Sequence, residues 1–475
     1  MPRALLILLL TLVTATTVRG QSYYVSPGQL AKERVLPANA STITINGSVD
    51  ASDLDYMTEA IESLGTLNLS GVTVVAYRGK RVGANITASA ANTLPAGIFA
   101  GLKASHIILP TSLTAIGDGA FMESQLVDIA LPARVKTVGR AALSRCPNLR
   151  EVTIPASVTA VPDALLEGCE ALTDVNLPAG LRSIGSRAML GCTSLTGISV
   201  PAEVTSIGDE AFALSGLDAI DLSKCSGLRT IGNRAFSTCT HLESATLPSS
   251  ATKLGEGIFF ECQALTVVKL PPEAVTIPPL TLKGADNLSA IDLPENVETI
   301  GTLAMAGMSA VEAVTLPGTL THISDGAFEG WTSLSEVHAN DLTAVPTLGE
   351  DIWSGVDQSR ATLYVPEEME NTFASTPQWQ EFAISQSSIT RLPELDSESR
   401  ITAGFEGTTL VVTTTEPLQS VTLYSLDGRT LARIADSGTE TVRIDTSAHS
   451  GHFFIARAVT ATDRRAVTFK LMREP

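Results

Sequence analysis

Residues 195–212 contain the clearest copy of a phrase that recurs along the chain: Leu195-Thr-Gly-Ile-Ser-Val-Pro201, then Val204-Thr-Ser-Ile-Gly208, then Asp209-Glu-Ala-Phe212. Leu195, Ile198 and Val200 have the spacing of inward-facing side chains in a brief extended segment. Pro201 ends this segment because proline has no N–H group for a ladder hydrogen bond. The stretch therefore predicts a short strand that stacks on copies of itself.

The second half of the stretch predicts another extended piece and a turn. Val204 and Ile207 supply two more inward side chains, and Gly208 is expected to provide a positive φ that a side chain would resist. Asp209 is expected to cap a short helical turn that contains Phe212. The same interpretation, a turn with its cap and no ligand site, applies to Gly117-Asp118, Gly185-Ser186 and Gly232-Asn233.

The phrase recurs along most of the chain. Its terminal proline falls every 22 or 23 residues, with one interval of 47 in which serine replaces it, at Pro110, Pro132, Pro155, Pro178, Pro201, Pro248, Pro271, Pro294 and Pro317. A fixed period of this length indicates a repeat solenoid, in which each unit buries its apolar side against its neighbours.

Cysteines test the period independently. Cys146, Cys169 and Cys192 are 23 residues apart, as are Cys239 and Cys262, so they occupy one column of the stack. Side chains in consecutive layers do not automatically have the torsion of a disulfide, which favours free buried thiols, with disulfides as the alternative. A metal site is disfavoured because the spacing is the repeat period and no histidine pair accompanies it.

The amino-acid composition agrees with a solenoid whose stacked repeats form many small apolar layers. Hydrophobic residues are 44% of the 475 residues but aromatic residues only 5%. The formal charge is −18, and it becomes −20 without Arg3 and Arg19 of the first twenty residues. This acidity disfavours nucleic acid as a partner and is typical of a surface that stays soluble.

The phrases Ile207-Gly-Asp-Glu-Ala-Phe212, Ile231-Gly-Asn-Arg-Ala-Phe236 and Ile323-Ser-Asp-Gly-Ala-Phe328 resemble the BspA-like leucine-rich-repeat family over residues 95–384. The resemblance implies a right-handed leucine-rich-repeat solenoid of short stacked strands and short helical turns. It also implies a bacterial surface protein of the adhesin or host-interaction class.

Residues 1–20 have a basic start, an apolar run and small residues before Gln21, which predicts a signal peptide and no transmembrane segment. Residues 21–94 are expected to form the N-terminal cap of the solenoid, with a helix over 53–63. Residues 95–384 form the solenoid and end in a closing cap, for which a helix is predicted over 367–384. Residues 385–400, rich in Ser, Glu and Asp, read as a linker.

Residues 401–475 alternate apolar and polar side chains, with Asp427-Gly428 at a hairpin position, and predict a small β-sandwich. The segments 421–429 and 450–457 and the terminal Lys470-Leu-Met-Arg resemble the C-terminal sorting domain of type IX secretion, with Phe453 where that family usually has tyrosine. The alternative is a plain structural sandwich.

No catalytic pattern is found. The six histidines are scattered, only His449 and His452 are close in sequence, and no Gly-x-Ser-x-Gly, phosphate loop or His-Glu-x-x-His occurs. We therefore expect a protein that is not an enzyme, without cofactor, metal or catalytic residues. Weak calcium capture around Asp218, Asp221, Glu243, Asp292 and Glu312 is a disfavoured alternative to solvated charges.

Binding is expected on the outward side chains of the strands. One outward position per repeat runs Ile108, Ala130, Thr153, Asn176, Ser199, Asp221, Thr246, Lys269, Asp292, Thr315 and His338. The candidate binding residues are Asn176, Asp221, Lys269 and Asp292. This column lacks Trp, Tyr and Arg anchors, so affinity should come from many weak contacts over a broad surface or from avidity.

The sequence thus predicts a non-enzymatic binding protein, secreted or on the outer cell surface of a bacterium, whose partner is an extracellular macromolecule, in the first place a protein. Two alternatives stay open. A glycan-binding module of a nutrient-uptake system would show aromatic platforms on one face, and a structural spacer would only hold the ends of the chain apart.

Overall fold

The computed structural model describes residues 20–83 and 85–386, and in the C-terminal part residues 401–406, 409–414, 417–424, 430–435, 439–446, 453–460 and 466–472. The described residues up to 386 form one compact unit, and those from 401 onwards form a second. The first unit is a β-solenoid of about 16 turns with few helices, as the repeat predicted. The predicted signal peptide, apart from Gly20, lies outside the described residues.

The N-terminal region begins with three parallel strands, β1 (Gln21–Val25), β2 (Asn39–Val49) and β3 (Ser63–Val74). A hairpin of β4 (Tyr77–Val82) and β5 (Ile86–Ser89) follows them. The helices are α1 (Gln29–Glu33) and α2 (Ala51–Ala60).

Helix α2 lies two residues earlier than the sequence predicted. It starts after Asp50, whose side chain accepts hydrogen bonds from the N–H groups of Ser52 and Asp53, while Asp53 accepts one from Asp50 in return. This reciprocal capping box satisfies two donors that a helix start leaves free. Helix α2 ends at Ala60 because Ser63 already belongs to β3, which pairs with β2.

Each repeat contributes up to two short parallel strands, one on each of two sheet lines. The first line contains Ala104–Ile108, Asp128–Ala130, Glu151–Thr153, Asp174–Asn176, Ala219–Asp221, Ser244–Thr246, Val267–Lys269, Ala313–Thr315, Glu336–His338, Thr362–Val365 and Ala383–Gln386. The second contains Thr93–Leu94, Ala115–Ile116, Thr137–Val138, Ala160–Val161, Ser183–Ile184, Ser206–Ile207, Thr230–Ile231, Lys253–Leu254, Thr276–Ile277, Thr299–Ile300, His322–Ile323 and Thr347–Leu348.

The strand predicted from Leu195 to Val200 does not form. Leu195 is fully buried, but Ile198 and Val200 are only partly buried, and the first sheet line is interrupted there and again near residue 291. Gly197 occupies the position of the first outward strand residue. Glycine weakens a strand because it adds backbone freedom and no packing surface, which accounts for the first interruption.

The turn that follows the second strand differs from the prediction in the role of its glycine. Gly208 and Gly232 do not have a positive φ. A Cβ on Gly208 would lie 2.5 Å from the backbone nitrogen of Ser186, and one on Gly232 would lie 2.5 Å from that of Asp209. Glycine is therefore needed at this position because the preceding layer lies too close for a side chain.

The acidic or amide residue after this glycine does not cap its own turn. Asp209 Oδ1 accepts a hydrogen bond of 2.7 Å from the N–H of Asn233 in the next repeat. Asn233 Oδ1 accepts one of 2.9 Å from Glu256 N–H, and Asp118 Oδ1 one of 2.9 Å from Arg140 N–H. The segments are hydrogen-bonded turns, and these side chains join consecutive layers.

Phenylalanine side chains stack inside these turns. The rings of Phe212 and Phe236 have centroids 5.3 Å apart and are nearly parallel, and Phe236 and Phe259 are 5.7 Å apart. All three residues are fully buried. The period of the repeat thus builds a continuous apolar column, as the sequence predicted.

All six cysteines are free and buried. In the column, the thiols of Cys146, Cys169 and Cys192 donate to the carbonyls of Phe121, Leu143 and Leu166 in the preceding layer, at 3.2, 3.0 and 3.2 Å. Cys239 and Cys262 repeat this contact at 3.1 Å. The column therefore supplies carbonyls of the preceding layer with a side-chain hydrogen-bond donor.

The closing cap contains less helix than predicted. A 3₁₀ turn at Glu367–Met369 leads into α3 (Glu370–Ser375), and another 3₁₀ turn lies at Gln358–Arg360. The helix stops there because Thr376 precedes Pro377 and is extended, as a residue before proline prefers. The chain then adds a last parallel strand, Ala383–Gln386, so Ser385 and Gln386 belong to the solenoid and the rest of the predicted linker lies outside the described residues.

The C-terminal unit is all β. Ile401–Glu406, Thr409–Thr414 and Thr441–Asp445 form one antiparallel sheet, and Leu418–Tyr424, Thr430–Ala435, Phe453–Thr460 and Ala466–Met472 form another. Side chains from both sheets share one buried cluster that includes Leu410, Val421 and Ile444, as in the predicted sandwich. Asp427 and Gly428 lie outside the described residues.

Candidate functional site: the outer strand face

The outward side chains of the first sheet line form an extended surface in three stretches of paired strands, and we call this surface the outer strand face. Parallel pairing holds the predicted column in register, with Thr153 opposite Asn176, Asp221 opposite Thr246, and Thr315 opposite His338. Neighbouring strands of a sheet are about 4.8 Å apart, so equivalent side chains repeat at that interval. The surface suits an extended partner.

The four candidate residues are all exposed but do not meet at one point. Asn176, Asp221 and Lys269 end their strands, whereas Asp292 lies in a segment without a strand. Asp221 and Lys269 are separated by the strand of Thr246, which places them roughly 10 Å apart along the stack. The column offers spaced polar contacts and no compact pocket.

Asp221 carries a well-defined negative charge. The side chain and the backbone N–H of Ser223 donate hydrogen bonds to its carboxylate, the latter at 2.9 Å, and lower the pKa of Asp221. The nearby charges of Lys224 and Lys269 act in the same direction. This residue therefore stays ionised throughout the neutral pH range.

A second outward position, two residues earlier in each strand, is acidic in the N-terminal half of the face. Asp128, Glu151 and Asp174 lie opposite one another on adjacent strands, and His106 pairs with Asp128 at an Nδ1–Oδ2 distance of 2.9 Å. Further along, this position is filled by small or apolar residues such as Val267, which is half exposed, until it is acidic again at Glu336. The middle of the face thus offers different chemistry from its two ends.

Possible metal-ligating side chains do not cluster in the described part of the chain. Among the described residues, no three side chains of His, Cys, Asp or Glu are placed to hold a metal ion, so the calcium alternative gains no support. His338 contacts Glu336 at 3.0 Å, which is a local pair on the face. His449 and His452 lie outside the described residues.

The repeat identifies the family. Six copies of the BspA type leucine-rich-repeat region match the chain within residues 92–218, 215–335 and 305–394, which together cover more than half of its length. The chain belongs to the BspA-type leucine-rich-repeat family. Leucine-rich repeats of this type are binding modules, so this BspA-type protein is a protein-binding repeat protein.

One solved structure with a TM-score above 0.5 supports the fold, and two others are more distantly similar. A leucine-rich repeat protein from Bacteroides ovatus is 21% identical to the BspA-type chain, with 73% of this chain and 88% of that one covered and a TM-score of 0.55. A leucine rich cell surface protein from Faecalibacterium prausnitzii is 22% identical over 65% and 87% of the two chains, with a TM-score of 0.37. The pneumococcal vaccine antigen PcpA is 18% identical over 78% and 83%, with a TM-score of 0.36.

No curated protein sequence matches the BspA-type chain significantly. Among the residues that the structure describes, none of the helices has the length and apolar character needed to cross a bilayer.

The last layer of the outer strand face differs from the expectation. Tyr364 lies opposite His338 in the next strand, and the two rings are stacked 4.8 Å apart. The signal was present in the sequence, because Tyr364 stands just before Val365, the last inward residue of the strand Thr362–Val365. The expectation of a face without tyrosine is therefore wrong for this layer.

Proposed function

We propose that this protein is an exported bacterial adhesin or host-interaction protein that holds an extracellular protein along its outer strand face. The observation that carries the proposal is the in-register stack of exposed, mostly small and polar side chains on rigid parallel strands. Asn176, Asp221, Lys269 and Asp292 are the proposed contact residues.

The chemistry of the outer strand face favours a protein partner with an extended contact surface. Its polar side chains recur at each layer and can pair with many groups of an extended surface, while no single desolvated anchor dominates. Affinity built from several weak contacts also favours avidity. The stacked His338 and Tyr364 rings lie at one end of the face. They are the best candidates to contribute more to the binding free energy than the other residues of the face do.

The proposed location is the outer cell surface or the medium. The first twenty residues support export, since a basic start, an apolar run and small residues are the features of a signal peptide. We further propose that residues 401–475 direct the chain through type IX secretion. The all-β character of this unit and its Val421 to Arg429 phrase support that role.

Binding is tested by presenting the chain from residue 21 onwards to an array of matrix proteins, host surface proteins and glycans. The proposal predicts saturable binding to at least one protein. A double variant, Asp221→Asn with Lys269→Gln, should weaken that binding without changing the melting temperature. Binding to glycans alone would favour the uptake module, and no binding at all would favour a spacer.

Export is tested in a bacterium with a type IX system and in an otherwise identical strain without it. The full chain should reach the outer surface or the medium only in the first strain. Equal appearance outside both strains would contradict the sorting role of residues 401–475 and leave the binding proposal untouched.

A further inference from the structure

The hairpin of β4 and β5 in the N-terminal cap contains a large bulge. Arg78 pairs with Ala88 and Val82 pairs with Ile86, so the three residues 79–81 stand opposite the single residue Thr87. Bulges of this kind redirect side chains and are regular structural features of strands, not defects in their pairing. We call residues 78–81 the basic bulge, because they read Arg-Gly-Lys-Arg.

The basic bulge is held in place from inside. The hydroxyl of Tyr77, a buried residue, donates a hydrogen bond of 2.6 Å to the carbonyl of Lys80. The ring passes so close to Gly79 that a Cβ there would lie 2.7 Å from the hydroxyl oxygen. The conformation is therefore fixed by one tyrosine and one glycine, and the cations are presented from a defined backbone.

The charges of the basic bulge are not used within the described protein. Arg78, Lys80 and Arg81 are exposed, and none of them forms an ion pair within 4.0 Å with a described residue. Elsewhere the chain has an excess of acid, with a net charge of −18. Three unpaired cations within four residues are thus a local reversal of the surface charge.

We infer that the basic bulge binds an anionic polysaccharide, with its three cations on the sulfate or carboxylate groups of the sugar chain. A protein partner fits less well, since large apolar side chains anchor protein interfaces. The exposed large apolar residues of the described chain all lie outside the hairpin, at Tyr24, Val35, Ile108, Leu214, Val267 and Val275.

The surface beside the basic bulge also suits a sugar chain. Strand β5 and residues 93–96 line an open groove of about 400 Å³, and its polar lining includes Asn85, Thr87 and Ser89. Amide and hydroxyl groups of this kind can exchange hydrogen bonds with sugar hydroxyls. This site is separate in sequence and in sheet from the outer strand face, so it adds a second ligand class.

The inference is tested with a fully sulfated hexasaccharide as the probe and the chain from residue 21 onwards as the protein. The triple variant Arg78→Ser, Lys80→Ser, Arg81→Ser should lose at least about tenfold in affinity. A matched variant, Lys103→Ser, Lys136→Ser, Arg150→Ser, removes the same charge at exposed positions outside the hairpin and should stay within about threefold of the parent.

Two further measurements distinguish how the conformation of the basic bulge and how its charge affect the affinity. Tyr77→Phe keeps every charge but releases the bulge, and it should lower affinity severalfold at an unchanged melting temperature. Affinity of the parent should fall with salt with a log–log slope of roughly −2, as counterion release by three cations predicts. Equal losses in the two triple variants, equal binding of uncharged dextran, or tighter binding of an acidic peptide or oligonucleotide would overturn the inference.

Discussion

Trp331 and Trp353 are both buried in the last layers of the solenoid, but they differ in one hydrogen bond. Trp331 Nε1 donates to the carbonyl of Met305 at 2.7 Å and so continues the role of the thiol column. Trp353 Nε1 is buried without a hydrogen-bond partner among the described residues. Burial of a polar group is costly when it is unpaired and close to neutral when it is paired.

This difference predicts the effect of two matched substitutions. Trp331→Phe leaves the Met305 carbonyl without its side-chain donor and should destabilise by about 1–3 kcal/mol beyond the loss of volume. Trp353→Phe removes an unpaired donor, which offsets part of the volume loss, so its cost should be smaller. Urea unfolding of both variants measures the two free energies, and an equal or reversed order would contradict the assigned contacts.

The thiol column makes stability depend on alkaline pH. Burial raises the pKa of Cys192 to about 12 from its ordinary value of 9.0. The folded state therefore keeps a proton that the unfolded chain releases, so this contribution is complete below pH 9 and is lost as the pH rises towards 12. The expected loss for one such thiol is about 1.4 kcal/mol at pH 10.

The control is Cys192→Ala, which removes the titrating group. The parent should be more stable than this variant at pH 7, and the difference should shrink by about 1.4 kcal/mol at pH 10. A difference that does not change between these pH values would mean that Cys192 titrates normally in the folded chain.

At the scale of the element, the turn after each second strand depends on close approach of consecutive layers. Gly208→Ala places a Cβ 2.5 Å from the backbone nitrogen of Ser186 and should destabilise by about 1–3 kcal/mol. Gly197→Ala is the control, since a Cβ there has no atom within 4 Å and the φ is not positive.

The control should be neutral or slightly stabilising, because alanine reduces the freedom of the unfolded chain. Thermal unfolding of the two variants gives the comparison. A Gly208→Ala protein as stable as Gly197→Ala would mean that the layers are not packed as closely as described.

The sequence predicted the parts of the elements that depend on periodic burial. The inward side chains, the phenylalanine column and the cysteine column follow from spacing alone, since an equivalent position in each layer has the same surroundings. The predicted role of Gly208 was wrong because a positive φ and the close approach of another layer both favour glycine. Only the position of the preceding layer distinguishes the two causes.

Other differences between the predicted and the observed elements are caused by single residues, which the repeat period does not reveal. The closing helix was predicted too long because apolar residues continue to Phe382, yet Pro377 stops the helix at Ser375. Gly197 interrupts a strand that its neighbours keep. For the site, the register of the column is confirmed where its strands pair, and its binding role stays a prediction. Its last aromatic member, Tyr364, was missed because the count stopped one layer early.

At the scale of the whole first unit, stacking converts a short sequence phrase into a long surface. Each strand contributes only one or two outward side chains, so no single repeat can provide a binding site of ordinary size. The proposed binding surface depends on parallel pairing, which keeps these side chains in register within each of three stretches of paired strands. The basic bulge, in contrast, is a local feature of the cap.

Binding on the outer strand face is tested most directly by the affinity of the protein ligand found on the array for two matched triple variants. Asp221→Asn, Lys269→Gln, Asp292→Asn alters the outer strand face, and the control variant Glu170→Gln, Glu203→Gln, Lys136→Gln makes the same net charge change at exposed residues outside the first sheet line. We predict at least a tenfold loss, about 1.4 kcal/mol, for the first variant and less than about threefold for the second. Equal losses, or a larger loss for the control variant, would contradict binding on the outer strand face.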